Sequence, residues 1–293
     1  MRVLIIGSSG QIGATLRSAF ETHGAEVAAT YRAHPVPGGV PLDVTDAVAV
    51  ARCIATSRPE LICFAANAPG GVDRCQTHPE EGRAMNAGAL ETLAAAAPGV
   101  PLVYFSSDYV FDGTAGPYAE GDPTGPINAY GRAKLEAECF LLARVPSALV
   151  VRTTTVYGWN PASKNVAMQI WERLGRGEPM QAPSDQWCNP TPAEYAADAT
   201  ARLALRRVRG LVHIAGQDWM PRADFMRALA EAFGFEPGLI VPVTTEALGQ
   251  PAPRPLRAGL RTDRVAELLG EPPPRLATAF EALRRVRAAA AVR

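Results

Sequence analysis

Val3-Leu4-Ile5-Ile6-Gly7-Ser8-Ser9-Gly10-Gln11-Ile12-Gly13 decides the fold. An apolar run of strand length enters Gly-x-x-Gly-x-x-Gly, and a helical pattern follows over Gln11–His23. Gly7 permits a tight turn, Gly10 lets the backbone approach a pyrophosphate, and Gly13 lets the helix pack closely on the strand. The helix amino terminus offers free N–H groups and a partial positive charge to phosphates. Ser9, Gln11 and Ile12 share this turn and join Gly7, Gly10 and Gly13 as expected dinucleotide contacts.

Outward from this turn, Glu26–Thr30, Leu61–Ala65, Leu102–Phe105, Leu149–Val151 and Leu211–Ile214 repeat the short apolar run. They mostly lack polar alternation, as strands buried on both faces do. Helical patterns over Pro79–Ala97 and Tyr130–Arg144 alternate with them. This rhythm predicts an α/β fold, a Rossmann-like doubly wound parallel sheet. The rhythm weakens after about Val156. The expected division is a dinucleotide-binding domain over 1–156 plus about 196–215, and a smaller substrate-binding lobe from about 157–195 and 216–293. Asn160–Pro192 reads as a loop-bearing substrate region and Arg222–Phe233 as an amphipathic helix. Pro237–Pro255 holds five prolines and should be extended or turned. The Ala/Arg-rich Arg284–Arg293 run reads as the end of a surface helix with a frayed tail.

Composition narrows the function classes. The chain has 293 residues, 47% of them hydrophobic, enough for a substantial core, and 29 basic residues balance 29 acidic ones. Without a long basic run, nucleic acid is not expected as a partner. No apolar stretch reaches the roughly 18 residues of a membrane span, and the first residues are too short in apolar length for a signal peptide. Cys53, Cys63, Cys75, Cys139 and Cys188 are odd in number and lack metal-ligand or disulfide spacing. A cytosolic protein with free thiols and no metal site is the expectation. His23, His34, His78 and His213 show no ligand spacing, and the acidic loop with Asp112, Glu120 and Asp122 reads as solvated.

Two further patterns carry chemistry. Tyr130 and Lys134 stand at i and i+4 of a helical pattern, so both can approach one ligand. A nearby ammonium would lower the tyrosine pKa, and the phenol could then exchange a proton with a carbonyl oxygen as hydride moves to or from its carbon. Val103-Tyr104-Phe105-Ser106-Ser107-Asp108 is an apolar strand ending in hydroxyls, at the edge where parallel sheets bind ligands. Ser107 could hold the developing negative charge on that oxygen. The catalytic candidates are therefore Ser107, Tyr130 and Lys134. At the end of the second strand, Arg32 stands where an NAD-selective site places an acid, and a guanidinium there suits a 2′-phosphate. This favours NADP(H), with NAD(H) as the second candidate. A solvated surface arginine is the alternative reading of Arg32.

These motifs carry a family resemblance. Phe105-Ser106-Ser107-Asp108-Tyr109-Val110-Phe111-Asp112-Gly113, Pro117-Tyr118-Ala119-Glu120 and Pro126-Ile127-Asn128-Ala129-Tyr130-Gly131-Arg132-Ala133-Lys134 resemble the dTDP-4-dehydrorhamnose reductase family of extended short-chain dehydrogenases/reductases. Arg152–Trp159, Asp185–Thr191, Pro253-Arg254-Pro255 and Leu260-Arg261-Thr262 extend the likeness through the chain. The resemblance implies reduction of a keto group on a nucleotide-diphospho-sugar. It also implies adenine contact at Asp43 and Val44, cofactor-facing positions at Ala65, Ala66 and Asn86 besides Tyr130 and Lys134, and a homodimer. Asp108, Asn165, Gln186, Thr191 and Arg254 are the expected substrate contacts, with Arg254 at the diphosphate. The chain departs from the family at Ala65-Ala66-Asn67-Ala68, at Pro69-Gly70-Gly71, at Thr155 (often Trp) and at Cys188-Asn189 (usually including Gly). Trp159 and Trp187 could supply stacking surface in place of the missing ring, or serve as packing anchors. Two other functions fit the same motifs: a reductase of another small carbonyl compound, and a non-catalytic NADP-binding regulatory subunit similar to the methionine adenosyltransferase β-subunit.

Overall fold

The computed structural model describes residues 1–291. Its centre is a seven-stranded sheet ordered Val40–Pro41, Glu26–Tyr31, Arg2–Ile6, Leu61–Phe64, Leu102–Ser107, Leu149–Thr153 and Gly210–His213. Every neighbouring pair is parallel. The strand order reverses beside Arg2–Ile6, where such sheets open a ligand crevice. Six strands lie at the expected positions. The seventh, Val40–Pro41, has only two exposed residues and no apolar run to announce it.

Register sets which residues meet at the carboxyl edge. Ile6 pairs with Phe64, Phe64 with Tyr104, and Ser107 with Thr153. The segments after these residues therefore emerge side by side: the glycine turn, Ala65–Asn67, Ser107-Asp108 and Thr154-Thr155.

Each face of the sheet is sealed separately. One face packs Leu4, Ile62, Tyr104 and Val150 against Leu90, Leu93 and Leu141. The other packs Val3, Ile5, Val103 and Val151 against Leu16, Phe20 and the alanine-rich helix Ala193–Leu205. Alanines let that helix lie close to Gln11–Thr22. Val265 and Leu269, from the short helix Asp263–Leu269, also join this sheet-side cluster, across the expected lobe boundary.

A third core gathers Tyr157, Ile170, Phe225, Leu229, Phe233 and Phe280. It belongs to a lobe with small strand pairs: Met180–Pro183 with Ile240–Val243, and Trp187–Cys188 with Met220–Pro221. The Asn160–Pro192 stretch is more regular than its Pro, Trp and Asn content suggests. Asn165 accepts from the Ala167 N–H at 3.0 Å and starts the helix Val166–Gly175. Trp159 packs against Trp171, with centroids 5.1 Å apart, and against Phe233. It is a packing anchor of the lobe. Trp187 lies against Trp219 at 4.3 Å, with the Arg257 guanidinium over both rings. The expected Pro79–Ala97 helix is interrupted by a π-helical turn at Ala84–Gly88. The final helix is Leu276–Ala291, and the tail expected beyond it, Val292-Arg293, lies outside the described residues. Among the described residues, no helix is long and apolar enough to cross a membrane.

Candidate active site

The glycine turn has the backbone that its sequence requires. Gly7 sits at φ +87°, and a Cβ there would lie 2.7 Å from the Ala66 nitrogen. A Cβ on Gly13 would strike the Gly7 carbonyl oxygen. The helix that follows has no side-chain cap and no acidic residue in its first turn. Its first N–H groups are left to a ligand, and no fixed anion competes for them. These are the features a dinucleotide pyrophosphate requires, so the chain's own geometry fits that cofactor.

Beyond the turn, Ile12, Asn67, Ser107, Tyr130, Lys134 and Thr154 line one cavity of about 220 Å³. The three catalytic candidates thus share one space with the cofactor turn. Tyr130 and Lys134 ride on Ala129–Arg144, whose amino end is pinned twice by Asn128. Its Oδ1 accepts from the Gly131 N–H at 2.8 Å, and its Nδ2 donates to the Pro253 carbonyl at 2.9 Å. Gly131 is required because a Cβ would strike the Tyr109 carbonyl oxygen.

Lys134 is buried. Its Nζ donates to the Phe105 carbonyl oxygen at 2.9 Å and lies 4.8 Å from the Tyr104 ring centroid and 5.6 Å from that of Tyr130. Burial disfavours its charge and brings its pKa down to about 7. The electrostatics of Tyr130 differ from the sequence expectation. Burial pushes its pKa up, opposed by a hydrogen bond with Asn67. Desolvation outweighs any help from the lysine, and the phenol keeps its proton through the neutral range.

Ser107 and Asp108 form a compact network. Ser107 Oγ donates to Asp108 Oδ1 at 3.0 Å and accepts from the Tyr109 N–H at 3.2 Å. Asp108 Oδ2 accepts from Thr154 Oγ1 at 2.6 Å. Asp108 was expected to touch substrate, but it is 2% exposed and both carboxylate oxygens are engaged. Burial raises its pKa against the opposing bonds from Thr154 and Ser107.

Several other expected contacts are occupied by the protein itself. Thr191 is fully buried, donating to the Asn189 carbonyl at 2.9 Å and accepting from the Gly216 N–H at 3.3 Å. It braces a loop. Gln186 is 3% exposed and bonds Thr245 and Arg222. Asn165 Nδ2 donates to Gln11 Oε1 at 2.8 Å, joining the phosphate turn to the lobe. Asn86 lies in the π-helical turn and is fully buried. Its amide is spent on the Gly82 carbonyl and the Tyr104 hydroxyl. Asp43 is held by the Thr45 hydroxyl and N–H, which depress its pKa. The acidic loop is structural too: Asp112 holds Thr114 and the Tyr118 hydroxyl, and Glu120 accepts from the His213 N–H.

Two guanidiniums close to Tyr109 retain unused donors. Arg254 Nη2 pairs with Asp73 Oδ1 at 2.8 Å, while its buried Nη1 has no protein partner. Arg222 Nε is likewise buried and without one. Both cations act on Tyr109, whose ring meets Tyr130 edge-on at 5.9 Å. Arg222 was missed at the sequence level, although a cation opening the helix Arg222–Phe233 opposes the helix dipole and was a usable signal. Asn67, Thr154 and Asp73 carried no such signal. Arg32, with Thr45, Gly70, Arg74 and Met85, lines a separate cavity of about 620 Å³. Arg74 there is held bidentately by Glu81 at 2.7 Å.

Residues 1–287 match the family described as RmlD substrate binding domain. The chain is 33% identical to the dTDP-4-dehydrorhamnose reductase of Salmonella typhimurium, over 90% of each chain. It is 31% identical to methionine adenosyltransferase 2 subunit beta of Danio rerio, over 92% of this chain and 85% of that one. The crystal structure of a dTDP-4-dehydrorhamnose reductase from Clostridium acetobutylicum superposes with a TM-score of 0.85 at 28% identity, covering 98% of this chain and 99% of that one. The chain belongs to the dTDP-4-dehydrorhamnose reductase family, oxidoreductases of the extended short-chain dehydrogenase/reductase type.

Proposed function

We propose that this protein is an NADPH-dependent reductase of a nucleotide-diphospho-sugar ketone, acting in the cytosol. The observation that carries the reading is the single cavity that Ser107, Tyr130 and Lys134 share with Ile12 of the glycine-rich segment. When bound, NADPH supplies the hydride. Lys134 and the free N–H groups after Gly10 hold the cofactor, with Arg32 at its 2′-phosphate. Tyr130 gives its phenolic proton to the carbonyl oxygen as the carbon is reduced, so the ketone becomes an alcohol and the proton is replaced from solvent. Ser107 steadies the charge that develops on that oxygen. The sugar nucleotide lies between the sheet's carboxyl edge and the 157–195 and 216–293 lobe, with its diphosphate at Arg254.

The Danio rerio relative bears the name of another enzyme's subunit, so turnover is the measurement that matters. NADPH oxidation followed by absorbance, with a panel of keto-sugar nucleotides, tests the proposal. Binding of NADPH without reduction of any of them would favour a regulatory subunit. Reduction of simple ketones alone would favour another carbonyl substrate.

A further inference from the structure

The charge-stabilising role given to Ser107 meets a difficulty in its own hydrogen bonds. A serine hydroxyl has one proton to donate. Here that proton is directed at Asp108 Oδ1, 3.0 Å away, while the oxygen accepts from the Tyr109 N–H. With an ionised Asp108, nothing is left to donate to a substrate oxygen. A carboxylate only accepts, but a carboxylic acid also donates. Thr154 cannot take over the donation to Ser107, because its own proton goes to Asp108 Oδ2 at 2.6 Å.

We propose that Asp108 is a positioning residue that acts through Ser107. Its neutral form donates to Ser107 Oγ and frees the serine proton for the substrate's carbonyl oxygen, and its carboxylate withdraws that proton. This rests on the reductase reading above, in which Ser107 meets the carbonyl. The surroundings of Asp108 suit such a switch. It is 2% exposed, and among the described residues the side chains bonded to its carboxylate are the hydroxyls of Ser107 and Thr154. The charged or titratable groups that face it are Arg222 from the small lobe, Tyr109 beside it, Tyr130 from the catalytic helix and Cys188 from its short strand. Arg222 favours the carboxylate, and so do the bonds from Thr154, Ser107 and the Gly259 backbone, while burial favours the acid and outweighs them.

The test is the pH dependence of kcat in three proteins, with NADPH affinity measured by fluorescence as a check on folding. Wild type should lose activity with rising pH, about tenfold per unit, as Asp108 ionises. In Asp108→Asn, the amide oxygen accepts from Thr154 and the NH₂ donates to Ser107, which fixes the productive arrangement. That variant should keep turnover within about threefold of the wild-type acid plateau and lack this falling limb, since the hydrogen bonds of the neutral form are all reproduced. Thr154→Val removes one bond to the carboxylate, so its limb should move to higher pH. The proposal is overturned if Asp108→Asn, still binding NADPH, loses turnover by about a hundredfold or more, the scale expected for a group whose charge is itself required. It is equally overturned if, with NADPH saturating at every pH, the wild-type limb persists in Asp108→Asn, or if Thr154→Val leaves it in place or lowers it. Absence of turnover in the wild type is a different result, and it would overturn the reductase reading itself.

Discussion

Lys134 Nζ donates to the Phe105 carbonyl oxygen at 2.9 Å, so the ammonium is tied to the end of a buried strand. Its proton is weakly held, with a pKa near 7 against an ordinary 10.5. Between those values the unfolded chain binds a proton that the folded chain does not, so this group makes stability rise with pH across the window. Below about 7 both states are protonated and the full penalty of the buried charge remains. Lys134→Met should therefore raise the melting temperature of the ligand-free protein at pH near 6, with a gain that shrinks toward pH 10. The same variant should weaken NADPH binding and slow turnover. Thermal melts across pH, with and without NADPH, measure both effects. A variant that melts below wild type at every pH would show that Lys134 stabilises the ligand-free fold.

Tyr130→Phe keeps the ring against Tyr109 and removes only the hydroxyl. NADPH should still bind, because the glycine turn and Lys134 remain. Turnover should fall by about 10²–10⁴, the scale of losing a positioned general acid. Single-turnover kinetics with saturating NADPH would show this directly. Unaltered turnover would mean that the proton comes from elsewhere.

The redox half of this site was far easier to read than the substrate half. Val3–Ile6 and Val103–Phe105 are buried on both faces, so their composition alone marks them as strands. Gly13 is demanded by its close approach to the Gly7 carbonyl within one short segment, and Gly7 by the positive φ of its own turn. Tyr130 and Lys134 lie one helical turn apart. All of these are local relations. Val40–Pro41 is too short to show a pattern, and Ala193–Leu205 hides its periodicity because its buried face is alanine. On the substrate side, motif residues proved poor guides to exposure. Thr191 and Gln186 stand in a recognisable segment, yet both are buried and bonded within the protein. Arg222 reaches the site through a fold contact with Gln186 that no spacing encodes.

Arg32 faces the 620 Å³ cavity, where Glu81 is engaged by Arg74, and Asp43 is engaged by Thr45. Arg32→Ala should weaken NADPH by about 1–3 kcal/mol, the worth of a hydrogen bond to a charged group. NADH should be little affected. Titration of both cofactors by fluorescence separates the cases, and equal losses would show that Arg32 does not read the phosphate.

Arg254 offers its unpartnered Nη1 while Asp73 fixes the opposite side of the guanidinium. Such a half-held fork is preorganised for a phosphate. Arg254→Ala should raise the Michaelis constant for a sugar nucleotide far more than it lowers the maximal rate, because the contact is made equally in ground and transition states. Steady-state kinetics decide it. A loss confined to the maximal rate would place the arginine nearer the reacting carbonyl than its partners suggest.

The helix Ala129–Arg144 is tied to the strand Leu149–Thr153 by a buried ion pair. Glu138 accepts from Arg152 Nε at 2.9 Å and Nη2 at 2.7 Å, with side chains 1% and 4% exposed. Arg152 also lies over the Phe111 ring and, after burial, helps to depress the pKa of His213 to about 3. Glu138→Ala would leave the guanidinium in the core with an empty space before it. The expected cost is about 3–5 kcal/mol, as for other buried pairs broken on one side. Replacing both partners together, Glu138→Leu with Arg152→Met, removes the stranded charge and should recover most of that loss. Urea denaturation of wild type, Glu138→Ala, the single variants Glu138→Leu and Arg152→Met, and the double variant gives the comparison. The two replacements should thus be strongly non-additive, as expected for residues in direct contact. If the double variant is as unstable as the sum of its parts, the pair contributes through something other than mutual neutralisation, and packing of Arg152 on Phe111 becomes the better explanation.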